Sequence, residues 1–272
     1  MILIPVAVYG TFAHDWILTV MVWTLATIGM REFYSISRRG EKSRNPSEVI
    51  GYAGLSLVFV TVRSDFLPFP INRAEILVGL MAAIVIIALS AEFFYRVHEP
   101  VKNTGQTILG LVYLSLLAFV IMIRINDDGV TTPVWLPQLS TDGLRVMHLL
   151  LIVWATDIFA FTFGWIYGRT ALQPDLSPKK TWEGSTGGLL GAIVIAGISG
   201  CWFQFPLFQS IALGAIVSIV AQLGDLAESA LKREFGVKDS GDIIPGHGGI
   251  LDRLDSLIFA APVYFALLLI PT

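Results

Sequence analysis

Long apolar runs separated by short polar stretches set the pattern of this chain from end to end. Nine runs stand out: Ile2–Phe12, Trp16–Met30, Val49–Val62, Ala74–Phe94, Thr107–Ile123, Val146–Tyr167, Gly187–Phe203, Leu207–Leu226 and Leu254–Ile270. A helix crossing the hydrocarbon core of a bilayer needs roughly 20 mostly apolar residues. The first run is too short to cross alone, and His14 and Asp15 part it from the second. It reads as a half-helix, a tilted short span or the start of a bent hairpin. A cleavable signal peptide fits less well, because no basic stretch precedes Ile2. The pattern predicts an all-α, polytopic integral membrane protein with about nine transmembrane helices.

The basic residues orient it. Four alternate loops hold Arg31, Arg38, Arg39, Lys42 and Arg44; Arg96 and Lys102; Arg169, Lys179 and Lys180; and Lys232, Arg233, Lys238 and Arg253. These carry 14 of the 18 Lys and Arg residues, whereas the intervening loops carry Arg63, Arg73, Arg124 and Arg145. By the positive-inside rule the richer set lies in the cytoplasm. The expected setting is therefore the inner membrane of a cell, with the candidate active-site loops facing the cytoplasm.

Composition sharpens the class. Apolar residues make up 54% of the 272 and charged residues only 14%, against ~25% charged in ordinary soluble domains. A formal net charge of −3 argues against a nucleic-acid partner. The lone Cys201 excludes an intrachain disulfide and a cysteine metal site.

The few charges inside or beside the apolar runs change in kind after about residue 145. Residues 1–145 read as N-terminal scaffold helices with a lipid-facing or dimer-forming role. Residues 146–272 read as the catalytic region, with motifs at 177–184 and 225–256. Asp157 lies in the middle of its run, and ionisable groups at membrane depth are expensive enough to be functional candidates. Asp225, Glu228, Ser229 and Lys232 fall at i, i+3, i+4 and i+7, one face of a helix. Asp252, Asp255 and Ser256 likewise share a face. Two helices meeting at one loop can present four carboxylates, Asp225, Glu228, Asp252 and Asp255, to a common point. Such a set suits a hard, oxygen-seeking cation such as Mg²⁺, with room for a second cation in the same cluster.

Lys232, Arg233 and Lys238 can neutralise phosphate oxygens beside it. Between the two helices, residues 236–249 contain five glycines, and these permit positive φ and close backbone approach to a phosphate. A second cluster, Ser177-Pro178-Lys179-Lys180-Thr181-Trp182-Glu183-Gly184, offers two ammonium groups and two hydroxyls to a phosphate or lipid headgroup. Each feature has a plainer reading, as helix-dipole acids or as basic anchors for anionic lipid. Their convergence points instead to metal-assisted phosphate chemistry at a membrane face.

Read in order, Ser229, Lys232-Arg233, Lys238-Asp239, Gly241, then Ile244-Pro245-Gly246-His247-Gly248-Gly249 and Asp252-Arg253-Leu254-Asp255 resemble the signature of phosphatidate cytidylyltransferases, also called CDP-diacylglycerol synthases. The upstream 177–184 segment and Asp157 are similar to that family as well. Phe161 and Arg169 depart from it, standing where relatives often carry Tyr and Lys. The resemblance implies transfer of CMP from CTP to phosphatidic acid, Mg²⁺ dependence and a homodimer working on membrane lipid. It implies Asp225, Asp252, Lys232 and Asp255 as catalytic residues and Asp225, Asp252, Glu228 and Asp255 as metal ligands. Substrate contacts are expected from Ser177, Lys179, Lys180, Thr181, Ser229, Arg233, Lys238, Asp239, His247, Gly248, Gly249 and Arg253.

Two other readings compete. A CTP-dependent polyprenol or phytol kinase has a similar layout but must activate an alcohol. An ion-coupled transporter would spread its acids across the membrane depth, whereas here only Asp157 lies deep.

Overall fold

The computed structural model describes residues 3–39, 46–64, 72–95, 99–125, 143–241 and 248–270. Helices α1 (Leu3–Phe12), α2 (Asp15–Arg39), α3 (Glu48–Val62), α4 (Arg73–Tyr95), α5 (Pro100–Ser115), α6 (Ala118–Ile125) and α7 (Leu144–Tyr167) come first. Strands β1 (Ala171–Gln173) and β2 (Ser177–Thr181) follow, then α8 (Trp182–Trp202), α9 (Leu207–Glu234) and α10 (Leu251–Leu268). Among the described residues five helical stretches are long and apolar enough to cross a membrane: 73–94, 100–125, 144–167, 182–202 and 207–234. The structure is thus that of a helical membrane protein.

Several elements differ from the sequence expectation in instructive ways. The apolar run at 107–123 belongs to a helical stretch that starts at Pro100 and breaks at Leu116–Leu117, where Leu117 N–H bonds back only three residues, to Leu114 O (3.2 Å). Helix α3, at 15 residues, reaches only ~22 Å and falls short of the hydrocarbon thickness. The 177–181 stretch, expected as a loop in an all-α chain, is a strand, paired antiparallel with β1 through Ala171↔Thr181 and Gln173↔Ser177. Several residues of the topology-setting loops, including Lys42, Arg44 and Arg96, lie outside the described residues.

The chain forms two compact units. The first comprises residues 1–18, 122–230 and 255–272. Its α7 and α8 pack with almost no space between backbones. A Cβ at Gly191 would stand 2.2 Å from Phe159 Cγ, one at Gly187 2.4 Å from Phe163 Cβ, and one at Gly184 2.7 Å from Ala160 O. Helices in lipid gain nothing from excluding water, so this contact rests on dispersion at short range, which only small residues allow. His148, fully buried on α7, links three helices: Nε2 donates to Ala196 O (3.1 Å) on α8, and Nδ1 accepts from the Tyr264 hydroxyl (3.0 Å) on α10. A carbonyl can only accept, so this pairing selects the neutral Nε2–H tautomer. The turn between α1 and α2 is held by buried Arg124, which donates to Thr11 O, Ala13 O and Asp15 Oδ1 at 2.9–3.1 Å. The short first run is thus the ten-residue helix α1, the carbonyls at its end satisfied by a guanidinium.

The second unit comprises residues 19–121 and 231–254. Tyr34 of α2 is wedged between α3 and α5. A Cβ at Gly51 would meet its hydroxyl at 2.1 Å and one at Gly110 its ring at 2.6 Å, and the hydroxyl donates to Thr107 O (2.9 Å). On α4, buried Glu92 accepts from Asn103 Nδ2 of α5 at 3.0 Å.

The α7–α8 contact makes a direct prediction. Gly191→Val should lower thermal stability in detergent by about 1–3 kcal/mol through overpacking against Phe159. Gly79→Ala on α4, where a Cβ meets nothing within 4 Å, should be neutral or stabilising.

Candidate active site

In the first unit, three carboxyl groups converge. Helix α9 brings Asp225 and Glu228 on adjacent turns, and α10 brings Asp255. One oxygen from each lies within 4.8 Å of the others. The approach depends on Gly224: a Cβ there would stand 2.6 Å from Asp255 O and 3.0 Å from Phe259 Cβ, so any larger residue would push α9 away from α10. Glu228 is buried, at 1% exposure, while Asp225 is half-buried. Asp157 of α7 acts electrostatically on Asp255, adding a further negative charge to the group.

The β1–β2 hairpin delivers the countercharge. Lys180 of β2 forms an ion pair with Asp225. Successive strand residues point to opposite faces, and Lys179 accordingly is exposed while Lys180 turns inward. The two lysines, expected to act as a pair, are thus separated by the strand's own geometry. The hairpin is locked to the start of α8 in three ways. Thr181 accepts from Gly184 N–H (3.1 Å) as the N-cap, Trp182 N–H bonds to Thr170 O (3.0 Å), and Glu183 Oε2 accepts from Arg169 and Thr170 N–H (3.2 and 3.3 Å). Gln222 of α9 donates to Ser185 O at 3.4 Å, tying the acid-bearing helix to the same corner. Ser177, at the start of β2, is half-buried.

The three acids suit a cation. Oxygen is the donor that Mg²⁺ prefers, and three carboxyl groups supply it here.

In the second unit, α9 ends and a glycine-containing segment begins. Gly236, at φ +67°, ends the helix in a Schellman turn: Val237 N–H bonds to Lys232 O (2.9 Å) and Gly236 N–H to Arg233 O (3.0 Å). Lys232 then reaches Asp252 Oδ1 at 2.7 Å, both side chains being about 14% exposed. The other carboxylate oxygen, Oδ2, accepts from Ser240 N–H (3.1 Å), Ser240 Oγ (2.9 Å) and Gly249 N–H (2.8 Å). Asp252, expected beside Asp225 in a four-carboxylate cluster, is engaged in this network within the second unit. Arg233, Lys238, Asp239 and Arg253 are exposed, and Ser229, in the first unit, is half-buried. His247 lies outside the described residues.

The glycines divide by cause. Gly236 and Gly248 take positive φ, at +67° and +80°. Gly241 and Gly249 do not; instead, a Cβ at either would lie 2.6 or 2.5 Å from the carboxylate of Glu32. Glu32, on α2, is the buried acid that sequence reasoning missed. It sits in a basic stretch, Arg31 to Arg44, that registers only as a topology signal.

The cytidylyltransferase family model matches residues 1–270 of this chain. The chain is 40% identical over 203 residues to a phosphatidate cytidylyltransferase of Synechocystis sp., covering 65% of this chain and 68% of that protein. It is 34% identical over 268 residues to the chloroplastic phosphatidate cytidylyltransferase 4 of Arabidopsis thaliana, covering 93% and 68%. A Staphylococcus aureus phosphatidate cytidylyltransferase is 46% identical over 135 residues, covering 48% of this chain and 52% of that protein.

The Lys232–Asp252 pair makes a stability prediction. Lys232→Met leaves a mostly buried carboxylate without its countercharge and should cost about 3 kcal/mol, read as a fall in the thermal midpoint of the detergent-solubilised protein.

Proposed function

The chain belongs to the cytidylyltransferase family, and from that premise we propose that it transfers CMP from CTP to phosphatidic acid, forming CDP-diacylglycerol and pyrophosphate. A phosphatidate oxygen attacks the α-phosphorus of CTP; a new P–O bond forms, the bond to the β-phosphate breaks, and pyrophosphate leaves. The nucleophile is already anionic, so no side chain needs to remove a proton. Catalysis then consists of bringing two polyanions together and absorbing their charge. The observation that carries this reading is the convergence of Asp225, Glu228 and Asp255 with Lys180 beside them.

Asp225, Glu228 and Asp255 would hold Mg²⁺, which when bound offsets charge on the phosphate oxygens. Lys180 shares a proton-rich contact with Asp225 and supplies a cation to a phosphate oxygen at the same place. Ser177 and Lys179, at the open face of the hairpin, contribute to holding the second phosphate-bearing substrate. Thr181 contributes chiefly by capping α8 and so fixing Lys180. In the second unit, Lys232 and Asp252 form a fixed pair whose ammonium faces phosphate, with exposed Arg233, Lys238 and Arg253 as further contacts. The lipid's tails stay in the bilayer while its phosphate meets a soluble nucleotide. The site therefore opens to the cytoplasm at the inner leaflet, in a chain that crosses the membrane about nine times.

Purified protein supplied with CTP, phosphatidic acid and Mg²⁺ should release pyrophosphate and form CDP-diacylglycerol; formation of CDP and a phosphorylated isoprenoid instead would establish the kinase reading. Asp225→Asn and Asp255→Asn should each lower kcat about 100-fold or more without loss of membrane insertion. Full activity in either removes that residue from the metal set. For orientation, a Cys201→Ser background carrying Lys179→Cys or Lys238→Cys should react with an impermeant maleimide only after permeabilisation, whereas Asp127→Cys should react in intact cells.

A further inference from the structure

One buried and hydrogen-bonded acid of the second unit is not used by the reaction as described. Glu32, 4% exposed, reaches from α2 to three groups of the motif segment. Its Oε1 accepts from Ile250 N–H at 3.0 Å, and its Oε2 accepts from Leu251 N–H at 2.8 Å. These two amides open α10, where helical N–H groups have no partner of their own and the helix dipole favours negative charge. Ser240 Oγ donates its one proton to Asp252 Oδ2 at 2.9 Å and lies 3.3 Å from Glu32 Oε2, so the hydroxyl sits between the two carboxylates. Glycine is required where this acid passes: a Cβ at Gly249 would lie 2.1 Å from Ser240 Oγ and 2.5 Å from Glu32 Oε2, and one at Gly241 2.6 Å from Glu32 Oε1.

Burying a carboxylate is costly unless its lone pairs are filled by good donors. Glu32 meets that condition through the Ile250 and Leu251 amides, with the Ser240 hydroxyl beside it. The same segment supplies two N–H groups, those of Ser240 and Gly249, to Asp252 Oδ2. Asp252 therefore owes its orientation to a backbone that Glu32 holds, and Lys232 owes its position to Asp252.

We propose that Glu32 is a positioning residue for the nucleotidyl transfer, clamping Ser240, Gly249 and the start of α10 so that the Asp252–Lys232 pair faces substrate in one orientation. This rests on the reading that Asp252 and Lys232 act in that reaction. Glu32 touches no reacting atom; it acts through the segment and through the Ser240 hydroxyl.

A double-mutant cycle on the full-length detergent-solubilised protein tests it. Glu32→Gln keeps the shape but replaces one acceptor oxygen with a donor, opposite an amide that must donate. It should lower kcat about 10- to 100-fold, with KM for CTP and for phosphatidic acid each changing less than about threefold. Ser240→Ala should lower kcat by a smaller factor, and the double variant should be no worse than Glu32→Gln alone, because both cut the same link. Thermal midpoints are measured alongside and kcat is expressed per folded molecule. A Glu32→Gln protein with wild-type kcat per folded molecule, or effects of Glu32→Gln and Ser240→Ala that multiply, would overturn the proposal. Asp252→Asn separates the two levels. If it is fully active, the underlying reading fails and the clamp's catalytic role with it; if it is inactive while Glu32→Gln is normal, only the clamp is wrong.

Discussion

A carboxylate taken out of water near a membrane must be given partners or it does not stay charged. The charged side chains of this protein are arranged around that demand. Asp225 has Lys180 against it, Asp252 has Lys232 and three hydrogen bonds from Ser240 and Gly249, and Glu32 has two helix-opening amides. Asp225, Glu228 and Asp255 each bring an oxygen within 4.8 Å of the others, a donor set of the kind that suits a hard cation.

Meeting the demand requires helices to come closer than ordinary side chains permit. Gly224 lets α9 reach the backbone of α10 beside Asp255, and Gly184, Gly187 and Gly191 do the same between α7 and α8. The α7–α8 contact also fixes where α8 begins, and the cap at Thr181 carries that position into the hairpin that bears Lys180. A chain of short-range contacts thus runs from an apolar helix seam to one ammonium at the acid cluster. His148 and Arg124 make polar versions of the same kind of joint within that unit.

Much of the site was legible because its chemistry is carried by residues the composition makes rare. In a chain with 14% charged residues, acids at i and i+3 beside a basic and glycine-bearing segment stand out. The pairing of Asp225, Glu228 and Asp255 follows from helical spacing and a single connecting segment. The hairpin at 171–181 was harder to see, because three-residue and five-residue strands leave almost no alternation to read. Glu32 was illegible for a different reason: it lies over 200 residues from its partners, and its local surroundings are basic.

The sequence by itself determined the apolar setting and the helical class, and it singled out the few charged groups that are candidates for chemistry, since apolar run length and the spacing of rare charges are properties of the chain alone. Tertiary structure decided which partners each carboxylate meets. Asp252 and Asp255, three residues apart and equivalent in any pattern, are separated by what folds against them: backbone amides, Ser240 and Lys232 around the first, the acids of α9 around the second. An acid's role depends on the donors and charges within a few ångströms of it, and those come from residues that no local pattern places there.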